Sequence, residues 1–488
     1  MLFDSLQFAV FFPVVCGLFW TLPERFRWLL LLVSSYYFYM CWRPEYALVL
    51  VVITAIDFFV GLSLAKATQP KARRAILLAS LAANLGILFF FKYYNFAALS
   101  INSLTATAVI PAMGLVLPIG LSFHTFQSMG YTIDVYRRKV EPERNWGTFA
   151  TFIVFFPQLV AGPIERAGDL LPQLRRYQEF DYGRVTSGLK LMAWGLFKKV
   201  VIADRLARLV DPVYADAEAQ SGMMLALATV AFGYQIYCDF SGYSDIAIGA
   251  AEVLGVRLMT NFRAPYHARS IRDFWTRWHI SLSTWFRDYV YIPMGGNRVS
   301  PGRWAFNILV VFFLSGIWHG ANWTFFVWGL YHAVLIIAGR AVQDFTSTVH
   351  GLARVKQRRY VPVPVGIVWT FLLVTAGWVF FRAPSIQVAG LIFERIATDW
   401  PSYLLPARLW AQLPLQLSLI GWQPWDTEVI CLAILALEIG DTVGLRFSIR
   451  KWLADRPAAV RWAAYYLLVL ALMVGGQFNG PPFIYFQF

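Results

Sequence analysis

Long apolar runs broken by short polar or basic stretches fill this chain. With a span taken as roughly 20 apolar residues, and shorter or interrupted helices allowed, the pattern predicts about fourteen helices that cross or enter a membrane. They centre on residues 5–22, 26–42, 46–65, 74–95, 113–135, 147–163, 186–204, 222–239, 243–258, 304–319, 321–340, 362–381, 428–445 and 459–476. Several are short or interrupted by Pro and Gly. Lipid tolerates this only where neighbouring protein satisfies the freed backbone groups, so some are expected to be re-entrant. The first run, within MLFDSLQFAVFFPVV, lacks the basic start and small-residue cleavage site of a signal peptide and reads as a retained span. The chain shows no internal repeat.

Composition sharpens the class. Hydrophobic residues make up 58% of the 488, charged residues only 14%, and the mean hydropathy is +0.54. These values exclude a soluble domain and predict an all-α polytopic membrane protein. The 20 Trp, 23 Tyr and 41 Phe suit interfacial belts and wide packing surfaces between helices. The net charge of +14, 42 basic against 28 acidic residues, does not point to nucleic acid. Lys and Arg collect in short loops beside spans, where cytoplasmic retention and anionic membrane lipids favour them. The basic loops Lys66–Arg74, Arg137–Arg144, Arg354–Arg359 and Arg446–Arg456 are therefore expected on the cytoplasmic face. The Trp- and Pro-rich stretch 384–425 and the aromatic C-terminal tail are expected on the outer face. Cys16, Cys41, Cys238 and Cys431 are scattered without any C-x-x-C pair, which suggests neither a zinc site nor a disulfide framework.

One polar island stands out, RDFWTRWHISLSTWFRDYVYIPMGGNR at 272–298. Burying imidazole, guanidinium and carboxylate groups at membrane depth costs several kcal/mol unless they pair or line a cavity. The spacing predicts a helix from about Ile271 to Tyr291, ended by Pro293 and Gly295-Gly296, with Trp275, Trp278, His279, Leu282, Trp285 and Phe286 along one face. It reads either as an interfacial amphipathic helix anchored by tryptophans, or as a buried site in which His279, on the aromatic face, takes part. Asp273 and Arg277, four residues apart, can neutralise each other and read as structural.

His319 ends the uncharged stretch Trp304–Trp318, and the next span opens just after Gly320. A lone histidine among apolar residues is often a satisfied core group. The alternative is a general base, because low-dielectric surroundings favour a neutral imidazole and a neutral imidazole can take a proton from a hydroxyl. Gly316 and Gly320 are expected to let a narrow substrate approach the backbone.

The segments CDFSGYSDIAIG (238–249), NFRAPYHARSIRDFWTRWHISLSTWFRDYVYIPMGGNR (261–298) and SGIWHGANWTFFVWGLYHA (315–333) resemble the membrane-bound O-acyltransferase family. Within it the resemblance is to the bacterial branch of alginate O-acetyltransferases and of the membrane acyltransferases of peptidoglycan O-acetylation and teichoic-acid D-alanylation. KYYNF (92–96), LPIGLSFHTFQSMGYTIDVYR (117–137) and FFPQLVAGPIER (155–166) extend it over nearly the whole chain. The resemblance implies one domain over 1–488 in a bacterial cytoplasmic (inner) membrane, a ring of helices around a tunnel from a cytoplasmic donor side to an outer funnel. The family's characteristic histidine falls on His319 and its second motif histidine on His279. Trp318, Asn322, Trp278, Trp275, Asp239 and His124 become candidate tunnel residues. The implied chemistry is acyl transfer from a thioester, acetyl-CoA, to a hydroxyl, with His319 as base and His279 assisting, and no permanently bound cofactor or metal. Lys198, Lys199, Arg272 and Arg277 are candidates for the donor's phosphates at the cytoplasmic mouth, although basic residues at a membrane boundary need no ligand to explain them. The implied acceptor is an extracytoplasmic polysaccharide, alginate-like or another envelope glycan.

The tail Phe483-Ile484-Tyr485-Phe486-Gln487-Phe488 has two readings. Aromatic tails anchor at the interface. This one also resembles a C-terminal F-x-Y-F-type motif of envelope acyltransferase systems, which implies that Tyr485 carries the acyl group to a periplasmic esterase-like acetyltransferase. Two rival functions remain. A transporter or flippase predicts coupling carboxylates at mid-span, and the acids there are Asp57, Asp204, Asp239, Asp245 and Glu438. A family enzyme that acylates a lipid or a secreted protein would share the donor motifs.

Overall fold

The computed structural model describes residues 1–488 apart from 106, 350–361, 400–405, 479, 482 and 485–488. Two sequence expectations, the basic loop Arg354–Arg359 and the carrier Tyr485, lie outside the described residues. Every regular element among those described is helical, the one open-ended structure whose backbone satisfies itself in lipid. Among the described residues, seven helices are long and apolar enough to cross a bilayer: Pro44–Lys66, Pro70–Thr105, Gly222–Val253, Pro301–His319, Trp323–Phe345, Val363–Arg382 and Ala458–Gly475. The protein is multi-pass, with fewer full spans than the apolar runs predicted.

The difference has identifiable causes. The runs at 222–239 and 243–258 are a single 32-residue helix that stays helical through Gly242, about 48 Å long at ~1.5 Å per residue. The run at 113–135 becomes helical only at Leu121, after Gly120 turns the chain with φ +75°. The run at 147–163 yields the short helix Trp146–Val154 and then a buried loop. Pro424–Gly444 is broken in character by Asp426, Glu428, Glu438 and Asp441, and Leu6–Thr21 has only 16 residues. The stretch 384–425 contains Ile386–Thr398 and Pro406–Leu419, of 13 and 14 residues, each shorter than a bilayer span.

The chain divides into two compact units, Met1–Gly195 with Tyr243–Thr260, and Leu196–Gly242 with Asn261–Phe488. In the first, the helix Leu121–Tyr136 is buried along nearly its whole length. Arg73 closes its C-terminus by donating to the carbonyls of Tyr136 at 2.9 Å and Val135 at 3.3 Å. Asp57, on the neighbouring helix Ala47–Lys66, is fully buried and accepts hydrogen bonds from Ser80 Oγ at 2.6 Å, Asn84 Nδ2 at 2.9 Å and Ser128 Oγ. The 155–166 segment is tied down as a loop: Phe156 N donates to Ser35 Oγ at 3.0 Å, and Glu165 accepts from Met259 N at 2.6 Å. Burial pushes the Glu165 carboxyl up to about 8, against the pull of that amide bond. His124 belongs to this unit and is buried in it.

The second unit is organised by the helical hairpin Pro301–His319 and Trp323–Val349. Gly316 and Gly329 let its arms touch. A Cβ on Gly316 would come within 2.4 Å of the Phe325 carbonyl oxygen, and one on Gly329 within 2.3 Å of the Phe312 carbonyl oxygen. A Cβ on Gly320 would strike the Phe325 ring at 2.0 Å. The expectation that Gly316 and Gly320 clear a path for substrate is therefore corrected. These glycines are occupied by helix–helix packing of the small-residue kind.

Candidate active site

The polar island is not the continuous helix that its spacing predicts. It runs as Ile271–Trp275, a turn, Ile280–Phe286 and a π-helical Arg287–Tyr291. The break is at His279, which adopts φ +43°, ψ +56°, a left-handed conformation that costs a non-glycine residue of order 1–3 kcal/mol. Asn261 compensates. Its carbonyl accepts from Ile280 N at 2.9 Å, and its Oδ1 accepts from Ser281 N at 3.2 Å and Ser281 Oγ at 2.9 Å. A further bond from Arg263 N to the Arg277 carbonyl at 3.0 Å ties the same two segments together. Backbone groups that a helix would satisfy internally are held by the loop around Asn261 and Arg263, earlier in the chain, and His279 at the turn is buried.

His279 is buried, with its ring centroid 4.6 Å from Phe240 and 5.8 Å from Trp318. Burial pushes its imidazole down to about 3, so the ring is neutral at pH 7. His319 is the last residue of its helix and is also buried. Its ring lies 5.0 Å from Trp318, 4.9 Å from Trp328 and 5.2 Å from Phe381, so three helices surround it with aromatic faces. The two motif histidines thus flank one indole, that of Trp318.

Trp278 packs on Phe274 at 5.4 Å and Trp378 at 4.9 Å, and Trp275 on Trp328 at 5.7 Å, extending the aromatic wall. Asn322 caps the helix that begins at Trp323: its Oδ1 accepts from Thr324 N at 3.0 Å and its Nδ2 donates to the Pro384 carbonyl at 3.0 Å. His332 was missed by sequence reasoning. It is fully buried, with its ring 5.0 Å from both Trp275 and Trp328, next to the wall around His319. Its place one helical turn after Trp328, in the same motif as His319, is the signal that marks it.

The basic candidates separate. Arg272 is exposed. Arg277 pairs with Asp273 at 2.9 Å, as their spacing predicted. Lys198 and Lys199 are buried. Lys198 donates to Ser241 Oγ at 2.9 Å, and Lys199 is 2.8 Å from Asp204 and 2.9 Å from Asp239. Asp239 is therefore part of an ion cluster. His124 lies in the other unit from all of these.

A neutral imidazole in dry aromatic surroundings can deprotonate a hydroxyl while water, which would hydrolyse an activated acyl donor, is kept out. The sequence model of the membrane-bound O-acyltransferase family matches residues 145–382, a range that contains both His279 and His319. The chain is 40% identical over 399 residues to the "Probable alginate O-acetylase AlgI" of Pseudomonas aeruginosa, covering 81% of this chain and 74% of that one. A protein of the same name from Pseudomonas fluorescens is 35% identical over 527 aligned positions, covering 100% of both. A peptidoglycan O-acetyltransferase of Helicobacter pylori is 35% identical over 388 residues, 74% of this chain and 71% of the relative. Fold and site define a polytopic membrane O-acyltransferase. The chain belongs to the membrane-bound O-acyltransferase family.

Proposed function

We propose that this enzyme takes an acetyl group from cytoplasmic acetyl-CoA and passes it across a bacterial cytoplasmic membrane for O-acetylation of an extracytoplasmic polysaccharide, alginate-like or another envelope glycan. The observation that carries the reading is the pair of buried histidines on either side of Trp318, in a chain whose relatives are named for alginate and peptidoglycan O-acetylation. His319 is the general base and His279 holds the reacting groups or assists the proton transfer. The first acceptor is the phenol of Tyr485. His319 takes the phenolic proton, the oxygen attacks the thioester carbonyl, the C–S bond breaks, and the proton passes to the leaving thiolate. The products are a tyrosyl acetate and free coenzyme A. A periplasmic esterase-like acetyltransferase then moves the acetyl group to the polymer. Arg272, exposed on the polar island, is the candidate partner for the donor's phosphates. Lys199 and Arg277 already face carboxylates.

A transporter needs carboxylates poised for a coupling ion. Asp57, Asp204, Asp239 and Glu438 are each engaged by protein donors instead, which favours the enzyme. The test is transfer of radiolabel from acetyl-CoA to the purified chain in nanodiscs. Label retained by wild type and lost in both His319→Ala and Tyr485→Phe supports the route. Absence of label, even with partner and polymer added, would overturn the donor assignment and reopen transport.

A further inference from the structure

The C-terminal segment is held at five successive points, four along the π-helical stretch Phe197–Ala203 and the turn after it and the fifth on the helix Gly222–Val253. Arg205, fully buried and paired with Asp426, donates to the Gly475 carbonyl at 2.7 Å. Gln477 N donates to the Val200 carbonyl at 2.9 Å. Gly480 sits on Asp204 so closely that a Cβ would come within 2.4 Å of the carboxyl carbon. Lys199 Nζ donates to the Pro481 carbonyl at 3.2 Å, and Asp239 Oδ2 accepts from Ile484 N at 2.7 Å. Lys199 ties the last three points together, since it also bridges Asp204 and Asp239.

Four of these five contacts reach backbone atoms of the tail, so they fix its register whatever side chains it carries. Hydrophobic contact alone would tolerate sliding, whereas a buried lysine between two carboxylates, costly to desolvate, is satisfied in only one arrangement. The buried Phe483 ring lies 5.6 Å from Phe240, the ring that also packs on His279 at 4.6 Å.

We propose that Lys199, with Asp204 and Asp239, is a latch that sets the register of Gly480, Pro481 and Ile484 and thereby governs acylation of Tyr485. Lys199 is a positioning residue. Its consequence for catalysis rests on Tyr485 being the acyl carrier, while the latch itself does not.

Two measurements on the full chain in nanodiscs separate these claims: the rate at which carboxypeptidase Y trims the tail, and the yield of label on Tyr485 from acetyl-CoA. Lys199→Met trims at least ~10-fold faster than wild type and Lys199→Arg stays within about 3-fold, tenfold corresponding to about 1.4 kcal/mol of lost latch. Because Lys199→Met leaves two buried aspartates facing each other, the neutral Lys199→Met/Asp204→Asn/Asp239→Leu is measured beside it. Its monodispersity and melting report the fold. The same variants lose label at least ~10-fold with an unchanged KM for acetyl-CoA, as expected when only presentation of the acceptor is disturbed. Unchanged trimming in the folded triple variant overturns the latch. Faster trimming with full label overturns its positioning role. Faster trimming in a system where even wild type takes no label on Tyr485 supports the latch and sinks the carrier.

Discussion

Two places in this protein bury polar side chains among apolar helices, and they are built in opposite ways. Around Asp57 the donors are small: Ser80, Asn84 and Ser128 all donate to one carboxylate, and both of its oxygens accept. Around His279 and His319 the neighbours are rings, from Phe240, Trp318, Trp328 and Phe381. A saturated carboxylate holds three helices in register and has little left to offer a substrate. An imidazole walled by aromatics is set in a dry place, where a proton transfer is least disturbed by water. Burial of a polar group in a membrane protein thus takes two forms here, one set among small donors and one set among aromatic rings.

The largest test of this contrast sets one residue from each place side by side. His319→Ala should lower acyl transfer by at least ~100- to 10,000-fold, the usual worth of a positioned general base, with the melting midpoint nearly unchanged. Asp57→Ala should do the reverse. It strands three buried donors at about 1–3 kcal/mol each before relaxation, so the melting midpoint drops while turnover per folded molecule stays within about 2-fold of wild type. An Asp57→Ala protein that keeps its stability and loses its rate would break the distinction. A smaller effect is expected at His279. Glycine there relieves the left-handed backbone but empties a buried ring's place, so His279→Gly should melt higher than His279→Ala, which keeps the strain, by up to about 1 kcal/mol, while transfer falls in both. Loss of both stability and rate would mean that the ring is a packing element first.

Much of the site was legible because its signals are local. A histidine ending the uncharged stretch Trp304–Trp318 and an Asp273–Arg277 pair are both read within a single helical run. The break at His279 was not legible, since the residue that makes it, Asn261, lies in a preceding loop and acts through hydrogen bonds no periodicity reports. The same holds for Lys199, whose partners are Asp239 and a carbonyl 282 residues away. Sequence logic placed Lys199 at the cytoplasmic mouth and the tail on the outer face. Lys199 touches the tail at Pro481, so both belong to one level of the protein. The glycines beside His319 were misread for a related reason: a missing side chain looks alike whether it makes room for a substrate or for a helix, and only the position of Phe325 decides. The count of spans failed where Gly242 left a helix unbroken and where Gly120 delayed one.

Glu165 gives the finest test of how the first unit uses its acids. Its carboxyl ordinarily titrates near 4.5, and burial pushes it up to about 8 in the folded chain. Between those values the folded state keeps a proton that the unfolded state releases, so stability falls as pH rises from 4.5 to about 8 and is level above. Glu165→Gln keeps an acceptor for Met259 N and carries no titrating group, so it should flatten that decline. Melting midpoints taken at about pH 5 and about pH 9 should differ by several degrees in wild type and by less in the variant, each kcal/mol being worth roughly 2–4 °C in a domain of this size. Turnover at saturating donor should show the same pH profile in both, because Glu165 is a structural acid like Asp57. Parallel melting curves would mean that the folded loop lets Glu165 ionise as readily as the open chain does. A changed turnover profile would bring the carboxyl into the chemistry.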